Sequence, residues 1–118
     1  VAVRDLLSRV YREAGYRPES LAEIASGSKR DPKLLERIQR LLLQEGTLVK
    51  IADGLIFHRQ VLDELKEAVR RQKQKSERID VTFFKQMAGV TRKYAIPLLE
   101  WLDRERVTRR AGNERVIL

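Results

Sequence analysis

The chain contains no cysteine and a single histidine, His58. Without thiols there is no disulfide framework and no thiolate metal site, and one imidazole supplies neither a ligand cluster nor a nucleophilic triad. These absences argue against metal-dependent and nucleophilic enzymes, and no cofactor is expected. No apolar run approaches the roughly 20 residues that span a bilayer, and no signal-peptide pattern opens the chain. A cytoplasmic protein with no membrane contact is the expectation. The phosphate-binding pattern GxxxxGK[ST] is missing as well, so these residues are not expected to hydrolyse a nucleotide. Residue 1 is valine, which suggests a piece of a longer polypeptide. Proline is scarce, with only Pro18, Pro32 and Pro97, and the position of each is therefore informative.

Positive charge is plentiful. Lys and Arg number 25 against 17 Asp and Glu, a net of +8, and an excess of that size favours a polyanionic partner, either nucleic acid or an acidic membrane surface, over an acidic protein patch. Residues 1–60 hold eleven cations and eight acids, for +3, and residues 61–118 hold fourteen and nine, for +5. The second half is the more basic. A length of 118 residues accommodates one ordinary domain or two small ones.

The apolar pattern indicates two. Leu6, Leu7, Val10, Tyr11 and Ala14 share one helical face that ends at Gly15, and Pro18 opens a short helix carrying Leu21, Ile24 and Ala25. Asp31 is the expected N-cap of the next helix, whose face holds Leu34, Leu35, Ile38, Leu41 and Leu42 before Gly46 ends it. "TLVKIADGLIFH" then reads as a hairpin turning at Asp53-Gly54. About 60 residues on, the order repeats. Phe83, Phe84 and Met87 answer Leu21 and Ile24, Leu98 and Leu102 answer Ile38 and Leu42, and "RVTRRAGNERVIL" answers the first hairpin. A helix from Arg59, with Val61, Leu62, Leu65, Ala68 and Val69 on one face, opens the second copy. "RID" before Val81 is a short strand that could pair with the second hairpin. The fold class expected is mainly α with small β-hairpins (α+β), arranged as two tandem winged helix-turn-helix domains, 1–60 and 61–118. A single helical bundle without a repeat is the alternative, and the two hairpin signals speak against it.

In "GVTRKYAIPLLEWLDRERVTRRAG", Thr91 is the expected N-cap and Ala95, Leu98, Leu99 and Leu102 the core face. Arg92 and Lys93 project from the first turn beside free N–H groups, where helices receive phosphate. Helix stability alone would favour acids there. Pro97 has two readings. It either starts a shorter helix, or it sits in the second turn of one that begins at Arg92, freeing the Lys93 carbonyl. Tyr94 is a core flank or a stacking wall. Lys85 and Gln86 on the preceding helix are candidates for the facing lip, and Arg78, Arg109, Arg110 and Arg115 for the wing. Alternation sends Arg109 and Arg110 to opposite sides of the ribbon, so both cannot serve one surface. "RRQKQK", Arg70 to Lys75, is a nucleic-acid cluster or simply a complement to the helix dipole. The first module, with "DPK" at its helix start and Lys50 alone in its wing, reads as a spacer or docking element.

"RKYAIPLLE" followed by "D…VT.R.G..R" resembles the last winged-helix module of the bacterial selenocysteine-specific elongation factor family, SelB, and the first half is similar, less distinctively, to the module before it. The resemblance implies a non-enzymatic RNA-binding piece that grips the apical loop of a selenocysteine insertion mRNA hairpin and tethers the factor for UGA recoding. It also implies a monomer, with the ribosome as a further partner, and GTP and selenocysteinyl-tRNA engaged only by upstream domains. A tandem winged-helix DNA regulator and a protein-docking scaffold are the rival readings. The acids Glu100 and Asp103 past the first turn disfavour a helix lying along duplex DNA, and a scaffold needs no cationic helix tip.

Overall fold

The computed structural model describes residues 2–17 and 20–118. The chain divides into two compact units between Val61 and Leu62. The first holds α1 (Ala2–Ala14), α2 (Leu21–Ser28), α3 (Pro32–Glu45), β1 (Leu48–Ala52) and β2 (Leu55–His58). Next come α4 (Arg59–Gln72), β3 (Arg78–Asp80), α5 (Val81–Ala88), α6 (Arg92–Arg104), β4 (Thr108–Ala111) and β5 (Glu114–Ile117).

In the first unit, helix ends are set by side-chain caps. The Ser20 hydroxyl accepts from the Glu23 N–H at 3.1 Å, and Asp31 accepts from the Lys33 N–H at 3.1 Å with Pro32 in the first turn. Each bond satisfies an amide that the helix start would otherwise leave unpaired. Pro18, expected to open α2, lies outside the described residues. Gly46, at φ 84°, closes α3. The core gathers Leu7, Tyr11, Ile24, Ala25, Leu35, Leu42 and Leu48. Leu41, expected on the same face as Leu42, is instead 49% exposed. A 100° step carries it about a quarter turn away from Leu42, onto the helix flank.

β1 and β2 pair antiparallel across the expected turn, with a register shift between Lys50 and Ala52. Of the two turn residues only Gly54 has positive φ, so the turn is not the type I′ form, which needs both. His58 is buried. It accepts from the Gln60 N–H at Nδ1, 3.1 Å, which leaves the proton on Nε2 to donate to the Ser8 hydroxyl, 3.1 Å. The only imidazole of the chain is thus held by hydrogen bonds to α1 and α4.

The second unit adds a strand. β3 joins the hairpin in a sheet of order β3-β5-β4, with Arg78 opposite Val116 and Ile79 opposite Arg115. "RID" is therefore a paired strand. Asp80 ends it and caps α5, accepting from the Phe83 N–H at 2.7 Å. Phe84, Ala95, Leu98, Leu99, Trp101, Leu102, Val107 and Ile117 are buried, together with Leu62, Leu65 and Val69 of α4. Lys66 binds Glu105 at 2.8 Å and lies 5.0 Å above the Trp101 ring, tying α4 to α6.

Candidate nucleic-acid interface

α6 begins at Arg92, with the Tyr94 and Ala95 N–H groups bonded to the Thr91 carbonyl at 3.1 and 2.9 Å. Pro97 is inside the helix. Of the two readings of this proline, the one placing it in the second turn is correct, because the helix is already established five residues earlier. Thr91 forms no side-chain cap bond, in contrast to Ser20, Asp31 and Asp80. The Arg92 and Lys93 N–H groups at the start of α6 are thus not claimed by a Thr91 side-chain bond.

Arg92, Ile96 and Glu100 follow one another at four-residue spacing and form one wall of a concavity of about 450 Å³. The other walls are Asp80, Val81 and Thr82 at the start of α5, and Arg110, Asn113 and Arg115 of the wing. Sheet pairing explains which wing residues arrive there. Arg110 stands opposite Arg115 and Thr108 opposite Ile117, so these four share one face, and Thr108, Arg115 and Ile117 are buried. Arg109, opposite Val116, points the other way, as does Arg78 in the same cross-strand row.

Of nine residues singled out in the sequence, Arg92, Arg110 and Arg115 therefore line the concavity. Arg92 and Arg110 are exposed, and Arg110 donates from Nε to the Gly112 carbonyl at 3.2 Å. Arg115 needs correction as an RNA-gripping side chain. It is 5% exposed, and its Nε donates to Asp103 Oδ2 at 3.1 Å. The other carboxylate oxygen accepts from the Thr108 hydroxyl at 2.6 Å. A buried guanidinium must be paired, and this one is held by α6. Asp103, expected on the solvent face, turns to the wing for the same reason.

Lys85, Gln86, Lys93 and Tyr94 are not among the lining residues. Gln86 is exposed and Lys85 half-buried, while the Lys93 ammonium lies 5.6 Å from the centre of the half-buried Tyr94 ring. Arg78 is engaged with Glu114 at 3.4 Å. The sequence reading did not single out Asp80, Val81, Thr82, Ile96, Glu100 or Asn113 as wall residues. Glu100 had a signal, its four-residue spacing from Ile96. Thr82 and Asn113 reach the site only through tertiary packing. Chemically the hollow offers guanidinium donors, the two carboxylates of Asp80 and Glu100, a hydroxyl and an amide. That mixture suits a phosphate beside a base edge better than a bare anion.

Residues 71–117 match the family described as "Elongation factor SelB, winged helix". Those residues form a winged helix similar to that family's. The likeness extends further: the chain is 30% identical, over 98% of its length, to a selenocysteine-specific elongation factor of Desulfomicrobium baculatum, of which it spans only 18%. Among solved structures it is similar to the mRNA-binding domain of elongation factor SelB from E. coli, solved in complex with SECIS RNA. The TM-score is 0.78 at 24% identity, covering 98% of this chain and 93% of that one. It is also similar to the bacterial selenocysteine-specific elongation factor EF-Sec, with a TM-score of 0.59 at 27% identity, over 90% of this chain and 19% of that one. The tandem winged-helix fold expected from the repeat is the fold found. No described helix is long and apolar enough to cross a membrane.

Proposed function

We propose that the second unit binds the apex of an mRNA stem-loop, as the RNA-tethering part of a cytoplasmic selenocysteine-specific elongation factor. The observation that carries this reading is the convergence of Arg92, at a helix start without a side-chain cap bond, with Arg110 of the wing on one concavity. A-form RNA has a major groove too narrow for a recognition helix, so a winged helix meets RNA end-on, at a loop whose bases can be unstacked. Arg92 and Arg110 hold loop phosphates, and the hollow between them receives one unstacked base. The SelB-type match over residues 71–117 and the mRNA-bound relative support the choice of ligand. Residues 1–61 serve as the module that precedes the grip.

Fluorescence anisotropy with a selenocysteine insertion hairpin, its stem duplex alone and a DNA duplex of matched sequence tests the reading. The hairpin should bind most tightly, and Arg92→Ala should weaken it about tenfold or more. Equal affinity for hairpin and stem, or preference for DNA, would refute it.

A further inference from the structure

The solvent pole of α3 carries charge of one sign. Stepping 100° per residue, Lys33, Arg37 and Arg40 fall on one line opposite the buried Leu35 and Leu42. All three are exposed, as are Lys29 and Arg30 in the turn that feeds the helix. The nearby acids do not offset them. Asp31 caps the helix, Glu45 is held by Arg4, and Glu36 lies at the edge of the stripe. None of the five cations forms an ion pair among the described residues. Like charges three and four residues apart weaken a helix, so this arrangement costs stability with no internal gain. α6 differs, with Glu100 and Asp103 past its first turn.

The stripe spans about 10 Å from Lys33 to Arg40 at 1.5 Å per residue. No aromatic shares it, so it lacks the stacking platform that single strands use. It presents charge at regular spacing and, apart from the amide of Gln44, nothing that reads a base. The geometry points to α3 of the first unit as a second nucleic-acid contact, one that grips the phosphate backbone of an RNA duplex. α3 lies across the shallow minor groove, with its cations on the flanking phosphates. The choice of RNA over DNA rests on the function proposed for the second unit, whereas the duplex-backbone assignment rests on the stripe alone. On this proposal the first module does more than the spacing or docking expected of it.

The test titrates the 118-residue chain with a blunt RNA duplex of about 16 base pairs, a span typical of duplex-RNA readers, across a salt series. The parent should bind it, more weakly than a hairpin and at least as tightly as matched DNA. Arg37→Glu with Arg40→Glu should weaken duplex binding tenfold or more. It should also lower the slope of log K against log salt by about two units, at roughly 0.9 per contact. Arg92→Ala with Lys93→Ala should leave duplex binding at the parent level while losing the hairpin. If the charge reversal lowers the melting temperature, Arg37→Gln with Arg40→Gln is used, with the same loss of slope expected. A parent that ignores the duplex, α3 variants that bind it like the parent, or tighter binding to DNA overturns the proposal. Failure of the hairpin arm alone counts against the loop-binding reading and leaves this one standing.

Discussion

Asp103 shows how one carboxylate can organise a wing. Its two oxygens hold the Thr108 hydroxyl and the Arg115 guanidinium, joining the end of α6 to both wing strands. Removing one partner of a buried pair leaves the other uncompensated, at about 3–5 kcal/mol. Asp103→Ala should therefore cost on the order of 3 kcal/mol in urea unfolding, toward the low end because the carboxylate is partly exposed. RNA affinity should fall with it, through displacement of Arg110. A cost below about 1 kcal/mol would mean that the wing does not depend on this contact. Glu45 offers a second measurement at this scale. Hydrogen bonding from Arg4 holds its carboxyl below the usual carboxylate value. The folded state therefore favours the ionised form, and its contribution is present at neutral pH and lost as pH falls through the lowered folded value. The pair is exposed and salt-screened, so the effect on stability is slight. An NMR titration should find Glu45 ionising below the range of a free glutamate, and Arg4→Gln should return it to that range.

Pro97 poses the question for elements. It sits in the sixth position of α6, where its missing N–H leaves the Lys93 carbonyl without the i+4 donor that every other residue type would supply. Pro97→Ala should restore that bond and raise stability by about 1–3 kcal/mol, up to the full proline penalty. The first turn, which carries Arg92, would then relax toward straight helix geometry and loop binding should weaken. Thermal melts and a hairpin titration on the single variant decide. No stabilisation together with parent-like binding would mean that the proline has no part in setting the grip. The far end of α6 carries a second local irregularity. Arg106 has φ 59°, a left-handed position that glycine usually occupies, and the Val107 N–H closes the helix on the Leu102 carbonyl at 3.0 Å. Nothing in the residue type announces it.

For the whole molecule the decisive quantity is charge. If Arg92, Arg110 and their neighbours neutralise about three to five phosphates of the hairpin, log K should fall against log salt with a slope near −2 to −4. A flat response would exclude a phosphate clamp. Where affinity resides can be tested by dividing the chain at the boundary between units. A fragment from Arg59 keeps Leu62, Leu65 and Val69, which are buried, and should retain most hairpin affinity. One beginning at Lys73 discards all of α4 and should fail to fold, although every candidate loop-binding residue is still present.

Local rules were enough for the repeat, the helices, the hairpins, the Asp31 and Gly46 caps of α3 and most core positions. Apolar periodicity, Asp before a helix and glycine after it each act within a few residues. Leu98, Leu99 and Leu102 could be assigned to the core, and Arg92 to the helix tip, before any contact was known. The sequence alone left Arg109 and Arg110 undecided, did not show Arg115 buried against Asp103, and did not bring Asp80, Val81 and Thr82 beside Arg92. Those outcomes depend on strand register and on which carboxylate meets which guanidinium once α6 packs on the wing. A side chain's neighbours across a sheet come from distant parts of the chain, and only tertiary packing decided them.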